Sequence, residues 1–318
     1  MKRLALFLFL IIFGLGLFLV WWENGKKPAN SFDTSKKTFV VNSGEGVRTI
    51  ASQLKKNDLI KDPTIFFLYV KKQGSDTNLQ AGAYKLSPSM NLKEIVETLK
   101  HGTLDISVTF PEGIRAEEVG DILSKSIGSL SDADRQKLVA NEGYLFPDTY
   151  LIPKDASVDL VISLMRDNFN KKTASLGVSS DSSQMRDAVI IASLIEREAQ
   201  HAQDRPLVSS VIHNRLAQGM PLEIDATVQY AIGKKTGSQK WWTPVTGKDL
   251  SISSSYNTYK NVGLPPSPIS NPGLSAIQAA LHPANTDYLF YVSDKQGNLH
   301  FAKTLAQQNI NIAKYLDN

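Results

Sequence analysis

The sequence predicts an α+β protein in three parts: a single N-terminal transmembrane helix, a small α+β module and a larger mixed α+β domain. Three observations predict it. An unbroken apolar run covers Leu4 to Trp22, short strand and helix patterns alternate between residues 38 and 102, and a nearly all-apolar helix pattern, Ala188 to Glu198, lies among further helices and a Pro/Gly-rich segment.

Composition bounds the rest. With 318 residues, 42% of them hydrophobic, the chain can fill one large core or two unequal ones. A formal charge of +4 with lysines scattered along the chain gives no nucleic-acid footprint. The absence of cysteine removes disulfides, thiolate metal sites and a cysteine nucleophile.

About 19 apolar residues at about 1.5 Å each just span a hydrocarbon layer of about 30 Å. Lys2 and Arg3 precede the run and Trp21-Trp22 close it, a basic cytoplasmic end and an aromatic belt at the far interface. Glu23-Asn24-Gly25-Lys26 lacks the small-residue site of a cleaved signal peptide. Residues 1–22 therefore read as a cytoplasmic stub and uncleaved anchor in the cytoplasmic (inner) membrane, N-terminus inside, with everything after them on the outer, periplasmic side. Residues 23–37, polar and broken by Gly25 and Pro28, read as a linker.

In residues 38–102, Thr38 to Val41 and Gly82 to Leu86 read as strands. Val47, Ile50, Ala51 and Leu54 repeat at helical spacing, Pro63 to Lys72 carries a second helix, and Asn91 caps a third with Leu92, Ile95, Val96 and Leu99 on one face. The larger domain, 103–318, opens with a strand at Ile106 to Phe110 and a helix at Glu117 to Ser124, followed by a polar region. Glu142 to Tyr150 is a loop with three aromatics and Asp148, which reads either as packing or as part of a sugar groove. Helices are predicted from Asp155 or Ser157 to about Asn170, from Pro206 to Gly219, from Leu274 to Leu281 and from Leu305 to Leu316. His213, Asn214 and Arg215 read as a charged helix C-terminus. Gly263 to Gly273, with four prolines, must be irregular. Tyr288 to Val292 reads as a buried strand, and a turn at Asp294 to Asn298 makes it half of a hairpin.

The central helix is predicted from Ser182 or Ser183 to about Ala202. At about 100° per residue, Met185, Val189, Ala192 and Glu196 share a narrow sector, whereas Glu198 lies roughly opposite. Taken alone, such a Glu pair reads as a solvated helix end. No Gly-x-Ser-x-Gly, phosphate loop or His-Glu-x-x-His occurs, and five dispersed histidines give no metal-ligand spacing, so neither a metal nor a cofactor is expected. A carboxylic acid working without a metal is the chemistry left, with Glu196 favoured over Glu198.

Ala192 to Glu198, Asn214-Arg215-Leu216 with Gly219-Met220, Asp225-Ala226-Thr227-Val228, Tyr256-Asn257-Thr258-Tyr259, the Gly263 to Gly273 segment, Leu281-His282-Pro283 and Phe146 to Tyr150 stand in the order and spacing of the YceG-like endolytic murein transglycosylases, which the chain resembles over residues 36–316. Ala226 stands where that family's proline is expected. The strand, glycine turn and helix after residue 38 resemble a LysM-type glycan-binding module; a packing or spacer domain is the other reading. The resemblance implies an endolytic peptidoglycan lytic transglycosylase, cutting the bond between N-acetylmuramic acid and N-acetylglucosamine and leaving 1,6-anhydro ends. Glu196 matches the essential Glu: it would first protonate the glycosidic oxygen and then act as base toward the C6 hydroxyl, its pKa raised by the apolar helix. Tyr256, Asn257 and Tyr259, then Asp148 and Asp225, are the candidates for holding sugar, and Asn271 for shaping the groove. The expected partners are glycan strands, the membrane and a wall synthase. A non-enzymatic glycan-binding scaffold and a two-carboxylate muramidase using Asp148 or Asp225 are the competing readings.

Overall fold

The computed structural model describes residues 2–42, 44–74, 79–101, 105–235, 237–238 and 240–316, with the backbone alone for residues 2–12, 101 and 105. The chain forms two compact units, residues 1–107 with 151–155 and residues 108–150 with 156–318. Both are mixed α+β, as the sequence predicts.

The first unit begins with helix α1 (Lys2–Gly25). The expected membrane span falls partly, over Leu4 to Ile12, on side chains outside the described residues, and among the described residues no helix is long and apolar enough to cross a membrane. The structure therefore does not show the transmembrane helix. Strand β1 (Lys37–Val41) follows, then helices α2 (Val47–Lys56) and α3 (Pro63–Lys72), strand β2 (Gly82–Leu86) and helix α4 (Leu92–His101). β1 and β2 are antiparallel, with Lys37 opposite Leu86 and Val41 opposite Gly82. Asp62 starts α3 by accepting the N–H groups of Thr64 and Ile65 at 2.7 and 3.1 Å, and Pro63 costs nothing there because its missing N–H would have been unpaired. Phe39, Leu54, Phe66, Tyr84, Ile95 and Leu99 close the core of this unit, each nearly free of solvent. Every such side chain contributes about 1.5–3 kcal/mol of transfer free energy.

Strand β3 (Asp105–Thr109) pairs with β4 (Thr149–Pro153), and the chain passes between the units along these two strands. The second unit continues with α5 (Ala116–Ile127), α6 (Asp132–Val139), α7 (Val158–Thr173), α8 (Ser183–Glu198), α9 (Arg205–Ala217), α10 (Asp225–Ile232) and α11 (Leu274–Leu281), then β5 (Phe290–Ser293), β6 (Leu299–Ala302) and α12 (Leu305–Tyr315). Helix α6 lies inside the polar region. It buries only Leu138, so it has no apolar stripe to read, and its start depends on Ser131, whose Oγ accepts the Asp134 N–H at 3.1 Å. The loop at Glu142 to Tyr150 is packing: Phe169 of α7 meets Tyr144 and Phe146 edge-on, with ring centroids 5.1 and 6.4 Å away. β5 and β6 form the hairpin, but β5 is only half-buried.

Helix α8 is the axis of this unit. Met185, Val189, Ile191, Ala192, Leu194 and Ile195 are buried all round it, against alanines of α11, Val208 and Ile212 of α9, and α10. It ends at Glu198, four residues short of the predicted end, because Ala199 turns to extended backbone (φ −103, ψ 103). The Pro/Gly segment is irregular and strapped to α8: Ser193 Oγ accepts the Ile269 N–H at 3.1 Å, and Ser270 donates to the Ser193 carbonyl at 3.1 Å.

Next along this strap, Asn271 spends its whole amide on backbone and one carboxyl. Oδ1 accepts from Gly143 and Leu145 at 2.9 and 3.0 Å, and Nδ2 donates to the Ile114 carbonyl and to Glu142 at 3.1 and 2.8 Å. Gly143, at φ +87, lets the loop approach so closely that a Cβ there would lie 2.5 Å from Pro268 and 2.8 Å from Val189. Burial pushes the Glu142 carboxyl up to about 8, against the pull of the Ala116 N–H and Arg115 and with repulsion from Glu117 adding to it. An unfolded chain releases this proton near 4.5 and the folded chain near 8, so stability falls as pH rises through that window. The Tm of Glu142→Gln, measured between pH 5 and 8, should therefore fall less steeply than that of the wild type; parallel slopes would show that Glu142 does not hold its proton.

Candidate active site

Glu196 and Glu198, both on the last turn of α8, are about 200° apart around the helix and enter two different environments. Glu196 is sealed in, its side chain 5% exposed. Arg205, at the start of α9, donates from Nη2 to Oε1 at 2.7 Å, and the Gly273 N–H donates to Oε2 at 2.9 Å. Glu112 lies 3.6 Å from the same guanidinium, and Gly113 packs so close that a Cβ would sit 3.3 Å from the Glu196 side chain. Burial raises the Glu196 pKa, the Gly273 N–H and Arg205 pull it down, and Glu112 adds repulsion. Both carboxylate oxygens are committed to protein donors.

Glu198 instead lines a cavity of about 420 Å³, with Asp225, Tyr259, Tyr291 and Gln308 among the other walls and Glu196 not among them. Its Oε2 accepts the Tyr291 hydroxyl at 3.0 Å. Burial pushes its carboxyl up to about 7; Asp225 adds to the rise, while the Tyr291 hydrogen bond and Arg197 oppose it. A carboxyl at that value is protonated often enough to act as an acid near neutral pH and ionised often enough to act as a base. Among the described residues no cluster of three or more His, Asp or Glu is placed to hold a metal ion.

Sequence motifs that looked separate build this cavity. Arg215 is buried, and it is a clamp rather than a helix-end charge. Nε donates to the Leu289 carbonyl at 2.7 Å, and Nη1 to the carbonyls of Pro221 and Leu222 and to Glu223, at 3.0, 3.0 and 2.9 Å. Asn214 donates to the carbonyls of Thr286 and Tyr288 at 2.8 and 2.9 Å, so α9 fixes the approach to β5 and hence Tyr291. Glu223 takes up left-handed backbone (φ 55), a conformation held by the clamp and by its N–H to the Thr258 carbonyl at 3.2 Å. Fully buried Asn257 donates to the carbonyls of Leu250 and Ile252 at 3.0 and 2.9 Å and accepts the Tyr259 N–H at 3.0 Å. Tyr259 then donates to Asp225 at 2.7 Å on the cavity wall.

Of the residues expected to hold sugar, Tyr259 and Asp225 thus come together, beside Glu198 and not beside Glu196. Asn257 and Asn271 have no exposed polar atoms to offer; they brace the backbone. Tyr256 packs on Tyr230 with centroids 4.9 Å apart and its hydroxyl pairs with Ser267 at 2.6 Å. Asp148 is tied to Asn168 and Lys172, at 3.1 and 3.2 Å, and to the Thr149 N–H, and does not line this cavity. Tyr291 and Gln308 carry no motif around them, and Arg205 reads as an ordinary helix-start residue, so neither periodicity nor spacing finds them.

The sequence pattern of the YceG-like family matches residues 39–314. The chain belongs to the YceG-like family. A relative from Bacillus subtilis (strain 168), named endolytic murein transglycosylase, is 36% identical over 92% of this chain and 89% of its own length. A protein of the same name from Streptococcus pneumoniae serotype 2 (strain D39 / NCTC 7466) is 28% identical over 90% of this chain, which spans 60% of that relative. A 2.6 Å crystal structure of a YceG-like protein from Listeria monocytogenes matches with a TM-score of 0.54 at 31% identity, over 87% of this chain and 99% of that one. In this YceG-like chain the resemblance read from the motifs is borne out, and four of those motifs meet around the cavity.

The two carboxylates should also separate by stability. Arg205→Met leaves Glu196 buried without its cation and should cost about 3–5 kcal/mol in urea unfolding. Adding Glu196→Gln to Arg205→Met should recover part of that loss, and strict additivity of the two changes would refute the pairing.

Proposed function

We propose that this chain is a peptidoglycan lytic transglycosylase whose acid and base are one residue, Glu198. The observation that carries this reading is that Glu198, with its carboxyl raised to about 7, shares a cavity with Tyr259 and Asp225, while Glu196 is locked to Arg205 and the Gly273 N–H. The names of the relatives support the substrate and reaction class.

In this reading the protonated Glu198 carboxyl donates to the oxygen bridging N-acetylmuramic acid and N-acetylglucosamine, and the bond from that oxygen to the muramyl C1 breaks. The leaving sugar departs with the proton. Glu198, now a carboxylate, accepts the proton of the muramyl C6 hydroxyl as that oxygen attacks C1. A 1,6-anhydro ring forms and Glu198 is again protonated, with no water consumed. Asp225 and the Tyr259 hydroxyl face the positive charge that develops at C1 and the ring oxygen. Tyr291 orients the carboxyl.

The rest of the chain suits an enzyme working at a wall. Phe13, Leu15, Leu17, Leu19 and Val20 of α1 are each more than half exposed, and with the uninterrupted apolar sequence from Leu4 they support a single-pass anchor in the cytoplasmic membrane. The second unit would then act on the outer side, near a wall synthase, with residues 38–102 as a LysM-like module that holds the strand. Because Asp225 borders the same cavity, a two-carboxylate muramidase is the second reading, and product ends distinguish it.

Purified peptidoglycan digested with the full chain should give anhydro-muramyl ends by mass spectrometry, whereas reducing ends would indicate the hydrolase. Glu198→Gln should lose about 10²–10⁴-fold in rate. Glu196→Gln should retain the reaction; the reverse ranking would return the role to Glu196. Because the acid must be protonated, kcat/KM should fall as pH rises above about 7. Tyr291→Phe removes a donor to the ionised form, so it should move that limb to higher pH; an unmoved limb would show that Tyr291 does not act on Glu198.

A further inference from the structure

Gln308, on α12, is buried and lines the same cavity as Glu198. Its Nε2 donates to the Tyr291 carbonyl at 2.8 Å, which fixes the orientation of the amide, since only the NH2 end can face a carbonyl. Its Oε1 is shielded from solvent and has no donor within the protein. An unanswered buried amide oxygen destabilises a fold, and such groups are rare away from sites where something else completes them. The donors nearby do not complete it: the Tyr291 hydroxyl is given to Glu198 and the Tyr259 hydroxyl to Asp225. Gln308 Oε1 is therefore an acceptor on a residue of the cavity wall that no protein donor answers.

Tyr291 links this acceptor to the acid. Its hydroxyl holds Glu198 and its carbonyl holds Gln308, so one residue of β5 sets the position of both. In a 2-acetamido sugar the amide N–H is on the carbon next to C1, one bond from the atom where cleavage occurs. We propose that Gln308 Oε1 accepts the acetamido N–H of the sugar whose glycosidic bond is cut, making Gln308 the residue that selects N-acetylated glycan. This rests on the lytic reading of the cavity.

The test uses two synthetic peptidoglycan tetrasaccharides, one natural and one with 2-O-acetyl in place of the acetamido group on the muramyl residue at the cut, an ester that cannot donate. Binding is measured by calorimetry in full-length protein carrying Glu198→Gln to prevent turnover, and cleavage in the otherwise unaltered chain. Binding and kcat/KM should each favour the natural compound by about tenfold or more. Gln308→Met should abolish the preference by weakening the natural compound to the level of the ester. Gln308→Glu, compared in the binding arm at a pH low enough to protonate the new carboxyl, can donate to the Tyr291 carbonyl and still present an acceptor, so it should restore the preference and shows that loss in the Met variant is not misfolding. A preference that survives Gln308→Met, or none in unaltered Gln308, overturns the assignment. If neither compound is cleaved the lytic reading fails, and the binding arm still decides Gln308.

Discussion

Helix α8 is buried all round from Ala188 to Ile195, and the rest of the second unit depends on how its charged end is accommodated. An apolar helix can sit at the centre of a domain without cost until its last turn, where Glu196, Arg197 and Glu198 bring three ionisable groups into surroundings that disfavour charge. Each is handled differently. Glu196 is neutralised by Arg205 and the Gly273 N–H, and Arg197 lies 3.9 Å over the Trp242 ring while donating to the Gly113 carbonyl at 3.2 Å. Glu198 alone has no cation as a direct partner; it receives a single neutral hydroxyl and opens on a cavity. That asymmetry ties one carboxylate to protein donors on both oxygens and leaves the other facing a cavity.

The irregular segment before α11 is strapped to α8 and closes over Glu196. Proline and glycine deny it regular hydrogen bonding, so its backbone groups are free to pair with Ser193, Ile114 and Gly113, and its amide side chain at Asn271 holds the loop at Glu142 to Leu145. The Gly273 N–H at its end reaches Glu196. A wall fixed in this way adds no mobile groups of its own. On the other side of α8, Arg215 and Asn214 do the equivalent work through backbone carbonyls, and the cavity stands between the parts they hold.

Much of this was legible residue by residue. β2 and α11 lie where the pattern puts them, because Gly82 and Leu86, and Leu274 and the Leu281-His282-Pro283 break, bound short apolar runs with strong punctuation. α6 and α10 were not legible as helices. One buries a single leucine and the other is held by Thr227 and Thr258, which are tertiary hydrogen bonds and leave no period in the sequence. Asp225 and Tyr259 were legible as polar residues in tight motifs. Asn257 and Asn271 looked the same, and only burial distinguishes a side chain that braces backbone from one that can meet a ligand.

By itself the sequence determined the family, the α+β class and the apolar N-terminus, because these follow from composition, order and spacing. It also placed Glu196 and Glu198 on one helix end. The different surroundings of the two were decided by tertiary structure. Helical periodicity ranks residues by the apolar row they extend, and on an almost uniformly apolar helix that ranking carries little information. The deciding contacts come from residues distant in sequence: Gly273 closes over Glu196, and Tyr291, Asp225 and Gln308 assemble the space beside Glu198. Desolvation and hydrogen bonding set a carboxyl's protonation, and both are properties of the packed chain.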